Sequence, residues 1–324
     1  MTPLIKTQLD SADSLLPETI DLYLACASFE RRCLTFTAHF ATSRVKRAVL
    51  CENDSLAAIT SEFSESLQSR LGNAAERVVF RRNDPLDIAD KLQAAIGTSA
   101  SARSILVDIT TFTHEALLIL IRLLQLRIAP SDRVLFAYTM ASDYSIGAAG
   151  SEKWLSKGIS EIRSVLGFPG EVLPSRRDHL IILTGFETER AAKLVDDFEP
   201  GVVSLGFVTT DVSEREHHIS SRAFQQFFLE KYASAQTFSF SCFDAAATRD
   251  AILGRARAVP GCNVVVSAMN TKISTLGAAL AATEDERIQL CYAFANEYNY
   301  EGYSLPGEYC YIGDVTSLLR KSVE

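Results

Sequence analysis

The sequence predicts an α/β fold: two parallel-sheet units related by internal duplication. Three observations carry this expectation. The strand candidates are continuous apolar runs, the pattern of sheets covered on both faces. They alternate with stretches of helical spacing. The order of elements in the first half then returns in the second.

The first run, residues 20–27, leads into Ser28-Phe29-Glu30-Arg31-Arg32 and a segment of helical spacing. The second half opens alike, with residues 179–184, then Gly185-Phe186-Glu187-Thr188-Glu189-Arg190 and a helical stretch, so Phe29 falls on Phe186 at an offset of 157. Residues 47–51 pair with 202–208 as the second strand of each half. Asp84, ahead of a helical segment, matches Asp244 at an offset of 160. The longest match sets 104–118 against 263–277, each a buried strand, a polar turn and an apolar helix. Last, 134–138 with Tyr144 parallels 288–292 with Tyr298. Offsets of 154 to 160 across five segments in one order define a Rossmann-like unit used twice. Any two α/β domains share some of this pattern, but the paired Phe-Glu and the paired tyrosine endings go beyond it.

At 324 residues the chain fits two domains. Residues 167–177, rich in Pro and Gly, are the expected linker, preceded by a connecting segment at 154–158. The expected units are therefore 1–174 and 175–324. A net charge of −8 argues against a chain that coats duplex nucleic acid or an anionic membrane. No apolar run approaches the roughly 20 residues of a membrane span, and the start lacks a secretory pattern, so a cytoplasmic location is expected. The seven cysteines form no Cys-x-x-Cys pair and several sit in apolar runs, so reduced thiols are expected instead of disulfides or a zinc site.

In open parallel sheets ligands bind beyond the carboxyl ends of the strands. In the first unit those loops carry Ser28, Phe29, Glu30, Arg31, Arg32, Asp108, Thr110, Thr111, Thr113, His114 and Glu115; in the second, Gly185, Phe186, Glu187, Arg190, Met269, Asn270, Thr271, Lys272 and Ser274. A helix start presents unpaired amides, so Asn270-Thr271-Lys272 is suited to an anion. Threonines at such turns also cap helices whatever the function. Phe29 and Phe186 read either as staples on the sheet or as stacking surfaces. Glu30 and Glu187 either favour helix starts or hold Arg32 and Arg190 for an anion. Tyr298, Tyr300 and Tyr303 form a lid or a wall on which a nucleobase stacks.

The loop Asn270-Thr271-Lys272, following the apolar strand around 264–266, resembles the Gly-Thr-Lys-Met loop of CRISPR-associated Rossmann-fold (CARF) domains, and tandem fusions of such units occur in the related SAVED domains of anti-phage systems. That resemblance implies a paired unit that binds a cyclic oligonucleotide, with these loops on its phosphates and bases. Two departures stand out: Met269-Asn270 replaces the family's glycines, and Thr113-His114 stands where the first unit would carry Thr-Lys.

Other chemistry is less defined. Asp211 to His218 offers two imidazoles, His217 and His218, whose adjacency suits a single metal poorly on a helix. Glu30, Asp108, His114 and Glu187 are the candidate catalytic groups, with His114, Glu115 and Asp108 as a general base and its orienting carboxylates. There is no Walker loop, nucleophile elbow or Gly-x-Gly-x-x-Gly turn, so no cofactor is expected. The expected function is a nucleotide- or oligonucleotide-binding sensor working with a separate effector. An enzyme acting on a phosphorylated or nucleotide substrate is the alternative.

Overall fold

A computed structural model describes residues 4–99, 101–144, 155–209, 230–300 and 302–320. The chain divides into two α/β units, Met1–Ser145 with Tyr300–Glu324, and Ile146–Asn299.

In the first unit the parallel strands are β2 (Leu22–Cys26), β3 (Ala48–Asn53), β4 (Ala75–Phe80), β5 (Ser104–Asp108) and β6 (Arg133–Tyr144). The antiparallel strand β15 (Ser304–Asp314) flanks β6, and β1 (Ile5–Gln8) lies outside it, giving the order β1-β15-β6-β5-β2-β3-β4. Strands β2 and β3 are buried at every position, as their apolar runs lead one to expect, whereas edge strand β4 carries adjacent charges, Glu76 and Arg77, and is buried only at Phe80. Tyr23, Leu50, Leu106 and Leu135 face one core with Leu67 and Leu71 of α1 (Ala57–Leu71). Helices α2 (Pro85–Ile96) and α3 (His114–Arg127) pack on each other, and α3 is buried throughout 115–121, so it reads as apolar on every side.

In the second unit, β9 (Asp178–Leu183), β10 (Val202–Val208), β11 (Gln236–Phe240), β12 (Asn263–Ala268) and β13 (Ile288–Phe294) are parallel, and β8 (Glu161–Pro169) runs antiparallel beside β13. The order β11-β10-β9-β12-β13-β8 matches β4-β3-β2-β5-β6-β15 strand for strand. The short strands β7 (Ser156–Lys157) and β14 (Glu297–Tyr298) form a separate ladder. Helix α4 (Thr188–Phe198) packs on β9, and α5 (Ala245–Arg257) packs on α6 (Lys272–Glu284).

The matched sequence positions are matched caps. Asp84 accepts the Leu86 and Asp87 amides at 3.1 and 3.0 Å, with Pro85 as the first helical residue; Asp244 accepts those of Ala246 and Ala247 at 2.9 and 3.0 Å. Thr113 caps α3 through the Ala116 amide and Thr271 caps α6 through the Ser274 amide, each at 3.1 Å.

Three expectations differ from the structure. The segment after β2 is a series of 3-10 turns, Arg31–Leu34, Phe36–Ala38 and Thr42–Arg44, without a side-chain cap. Its Cys-Leu-Thr-Phe-Thr run is poor in strong helix formers, and Cys33, Phe36 and Phe40 enter the core at spacings that short turns meet. Strands β8 and β15 fall where the sequence suggests a linker and an aromatic tail. Residues 167–177 belong to the second unit: β8 runs through Pro169, and Asn263 binds both the amide and the carbonyl of Leu173. All seven cysteines are reduced thiols, and burial pushes Cys33, Cys291 and Cys310 up to about 12.

Gly277 tests the packing of α5 on α6. A Cβ there would stand 2.6 Å from Thr248 Cβ and 2.8 Å from the Ala245 carbonyl oxygen. Gly277→Ala gains about 1 kcal/mol of helix propensity but overpacks this contact. A net loss of about 1–3 kcal/mol is expected in urea unfolding.

Candidate functional site

The loop after β2 is shaped by a buried ion pair. Glu30 and Arg32 are 9% and 4% exposed, while Phe29 is half-buried and Arg31 exposed, so residues alternate inward and outward along the loop. Glu30 Oε2 accepts Arg32 Nε at 2.9 Å, Arg32 Nη2 at 2.5 Å and the Ser304 hydroxyl at 2.7 Å. Arg32 Nη1 donates to the Thr139 carbonyl at 3.2 Å, and its guanidinium lies 5.5 Å from the Tyr144 ring centre and 6.0 Å from that of Tyr138. This clamp ties the end of β2 to β6 and to the start of β15. Above it, Phe29 makes edge contacts with Tyr300 at 5.1 Å and Tyr303 at 5.5 Å.

The loop after β5 is pinned beside it. Thr111 donates to the Cys26 carbonyl at 2.6 Å. Thr110 donates its hydroxyl to Asp108 and accepts the Thr139 amide at 2.9 Å. Ser28 is buried and accepts the Glu30 amide at 3.4 Å. His114 and Glu115 form the first turn of α3, half-buried and buried. Asp108 is 2% exposed, below the loop, and burial pushes its carboxyl up to about 6. Its Oδ2, the Tyr23 hydroxyl and the Thr139 hydroxyl have no hydrogen-bond partner among the described residues; Tyr23 stands near enough to act on the carboxylate without an aligned bond. Three orphaned atoms on the adjacent strands β2, β5 and β6 mark a place for internal water.

The second unit repeats the clamp. Glu187 accepts Arg190 and the Ser156 hydroxyl, Arg190 donates to the Ala293 carbonyl at the end of β13, and its guanidinium lies 5.7 Å from the Tyr292 ring centre. Phe186 is half-buried beside it, and the Tyr298 hydroxyl is 3.5 Å from that of Tyr292. Asn270 donates to the Thr184 carbonyl at 2.7 Å and accepts the Thr271 amide at 2.8 Å, while Thr271 donates to the Cys242 carbonyl. Asn270 and Thr271 therefore join strand ends, and Lys272, half-buried, is the first residue of α6. Gly185 is needed for the close approach of these loops: a Cβ would sit 1.9 Å from the Met269 carbonyl oxygen.

The structure thus brings Glu30 to Arg32 and Glu187 to Arg190, and it brings the paired strand-end loops together in each unit. His114 is not a partner of Asp108, whose hydrogen bonds come from Thr110. Ser156 and Ser304 are site residues that the sequence does not single out. Ser156 opens β7 and Ser304 opens β15, strands whose pairing no local sequence pattern announces. Among the described residues no cluster of His, Cys, Asp and Glu could hold a metal, and His217 and His218 lie outside those residues.

No protein-family model matches the sequence, and no curated protein matches it. Among solved structures, that of a Type III CRISPR defence DNA nuclease activated by cyclic oligoadenylate is similar over 81% of this chain, at 12% identity and a TM-score of 0.50. The chain spans 64% of that nuclease, less than two thirds of its length. The cytoplasmic domain of a prokaryotic cation chloride cotransporter aligns over 87% of this chain and 98% of its own, at 11% identity and a TM-score of 0.25. A putative methyltransferase from Pseudomonas syringae aligns over 40% of this chain and 73% of its own, at 18% identity and a TM-score of 0.24. At such identities the likeness is one of fold. No described helix is long and apolar enough to cross a membrane.

Two measurements follow from this geometry. Gly185→Ala should cost about 3 kcal/mol or more in urea unfolding, because the clash is with backbone. The aligned position in the first unit, Ser28, carries a side chain and should tolerate alanine. Asp108 has a folded pKa raised from 3.8 to about 6, so its stabilising contribution is complete below 3.8 and lost as pH rises through 6. Asp108→Asn should gain up to about 3 kcal/mol at neutral pH and flatten the stability profile over that interval.

Proposed function

We propose that this chain is a nucleotide- or oligonucleotide-binding sensor of an anti-phage defence system, acting through a separate effector. The observation that carries the reading is the rim over the first clamp. There Phe29, Tyr300 and Tyr303 form a half-buried aromatic cluster, and exposed Arg31 has no acceptor among the described residues. Aromatic faces beside an unneutralised guanidinium suit a base and its phosphate. In a chain of net charge −8 such a rim is a local exception. The CARF- and SAVED-like order of elements and the fold shared with a nuclease activated by cyclic oligoadenylate support the same ligand class. Duplication of one ancestral unit accounts for the matching order of six strands in each unit, and we assign Ser28, Thr111 and Thr113 to the strand-end site of the first unit and Phe186, Asn270, Lys272 and Tyr298 to that of the second.

An enzyme reading has less to support it. Glu30 and Glu187 are each committed to an arginine, and Asp108 lies below the surface of the loop.

Thermal unfolding in the presence of cyclic tri-, tetra- and hexa-adenylate, their linear forms and AMP tests the proposal. A true ligand at a hundred times its Kd stabilises by about 2.7 kcal/mol. One of these compounds should shift the transition saturably, and Phe29→Ala with Arg31→Gln should weaken it about tenfold or more. No shift across the panel overturns the proposal.

A further inference from the structure

The first sheet has a second concave site at its opposite edge. Arg133 opens β6 and Asp314 closes β15, at the end of the sheet away from the loops after β2 and β5. A cavity of about 610 Å³ lies here, within the size range of small-molecule sites. Its apolar wall includes Ile5 and Leu15, which are 47% and 39% exposed, together with buried Ile312.

The charges around it do not cancel. Asp132 is taken up by Arg103 at 2.8 Å, and Asp314 by Arg133 Nε at 2.7 Å. Arg320 has no acidic partner among the described residues: its Nη2 donates to the carbonyls of Pro130 at 2.6 Å and Asp132 at 2.9 Å. Carbonyls hold the guanidinium in place and leave its charge intact. Arg133 uses only Nε, so its two terminal nitrogens remain as the fork that takes a carboxylate or phosphate by parallel bonds.

We infer that this cavity binds an organic anion with an apolar body, the headgroup on Arg133 and Arg320 and the body against Ile5, Leu15 and Ile312. The ligand is distinct from the nucleotide of the strand-end rim, since among the described residues no aromatic face lines this cavity. Such a site would couple a second signal to the sheet whose other edge carries the clamp.

Isothermal titration of the full chain with octyl phosphate and octanoate, below their aggregation concentrations, tests this. Inorganic phosphate and the neutral octyl glucoside are the controls. Saturable binding is expected for at least one anionic amphiphile, and which of the two binds identifies the headgroup. Arg320→Gln and, separately, Arg133→Gln should each weaken it about tenfold, with unfolding curves confirming that each variant is folded. Absence of binding by both amphiphiles, equal binding by octyl glucoside, or unchanged affinity in both variants would overturn the inference. None of these outcomes bears on the adenylate panel, so the two sites stand or fall separately.

Discussion

A carboxylate and a guanidinium buried together at the mouth of each sheet are the constraint from which the rest of the site follows. Burying either charge alone is costly, and removing one partner of such a pair typically costs about 3–5 kcal/mol. Here the cost is offset because the arginine also reaches a main-chain carbonyl of the fifth parallel strand, Thr139 in one unit and Ala293 in the other. The loop after the first strand is thereby fastened across the sheet. With Glu30 and Arg32 turned inward, Phe29 and Arg31 are turned out. The residues that stabilise the loop and those available to a ligand interleave along five consecutive positions.

The units share this frame and differ in what it carries. Around the second clamp, Asn270 and Gly185 draw the two strand-end loops into backbone contact, leaving Lys272 at the helix start. Around the first, Thr111 makes the bond to the neighbouring strand end and His114 takes the lysine's place. Equivalent scaffolds thus present unlike groups.

The parallel strands, their order within each half and the matched Asp and Thr caps were legible in the sequence because all depend on local pattern. Continuous apolar runs report burial on both faces, and a cap depends on three or four neighbouring residues. Glu30 with Arg32 and Glu187 with Arg190 were visible as pairs, but their carbonyl partners were not, since Thr139 and Ala293 are 107 and 103 residues away. Strands β8 and β15 were hidden for a different reason. Each pairs with strands distant in sequence, β8 with β13 and β15 with β6 and β1, and each mixes Gly, Pro and charged residues with its apolar positions. Asp108 was placed at the right strand end yet at the wrong depth, because sequence does not report how far a loop folds back over it.

The position of β15 also governs how the molecule can be made. The second unit is contiguous, Ile146–Asn299, and all its strands have been synthesised before residues 304–314. The first unit cannot close its sheet until β15 follows the whole of the second. Through that interval β6 presents an open edge, the kind of surface that invites pairing with another chain. Ser304, which completes the first clamp, arrives with the same strand, so the clamp can form in full only after the second unit has been synthesised.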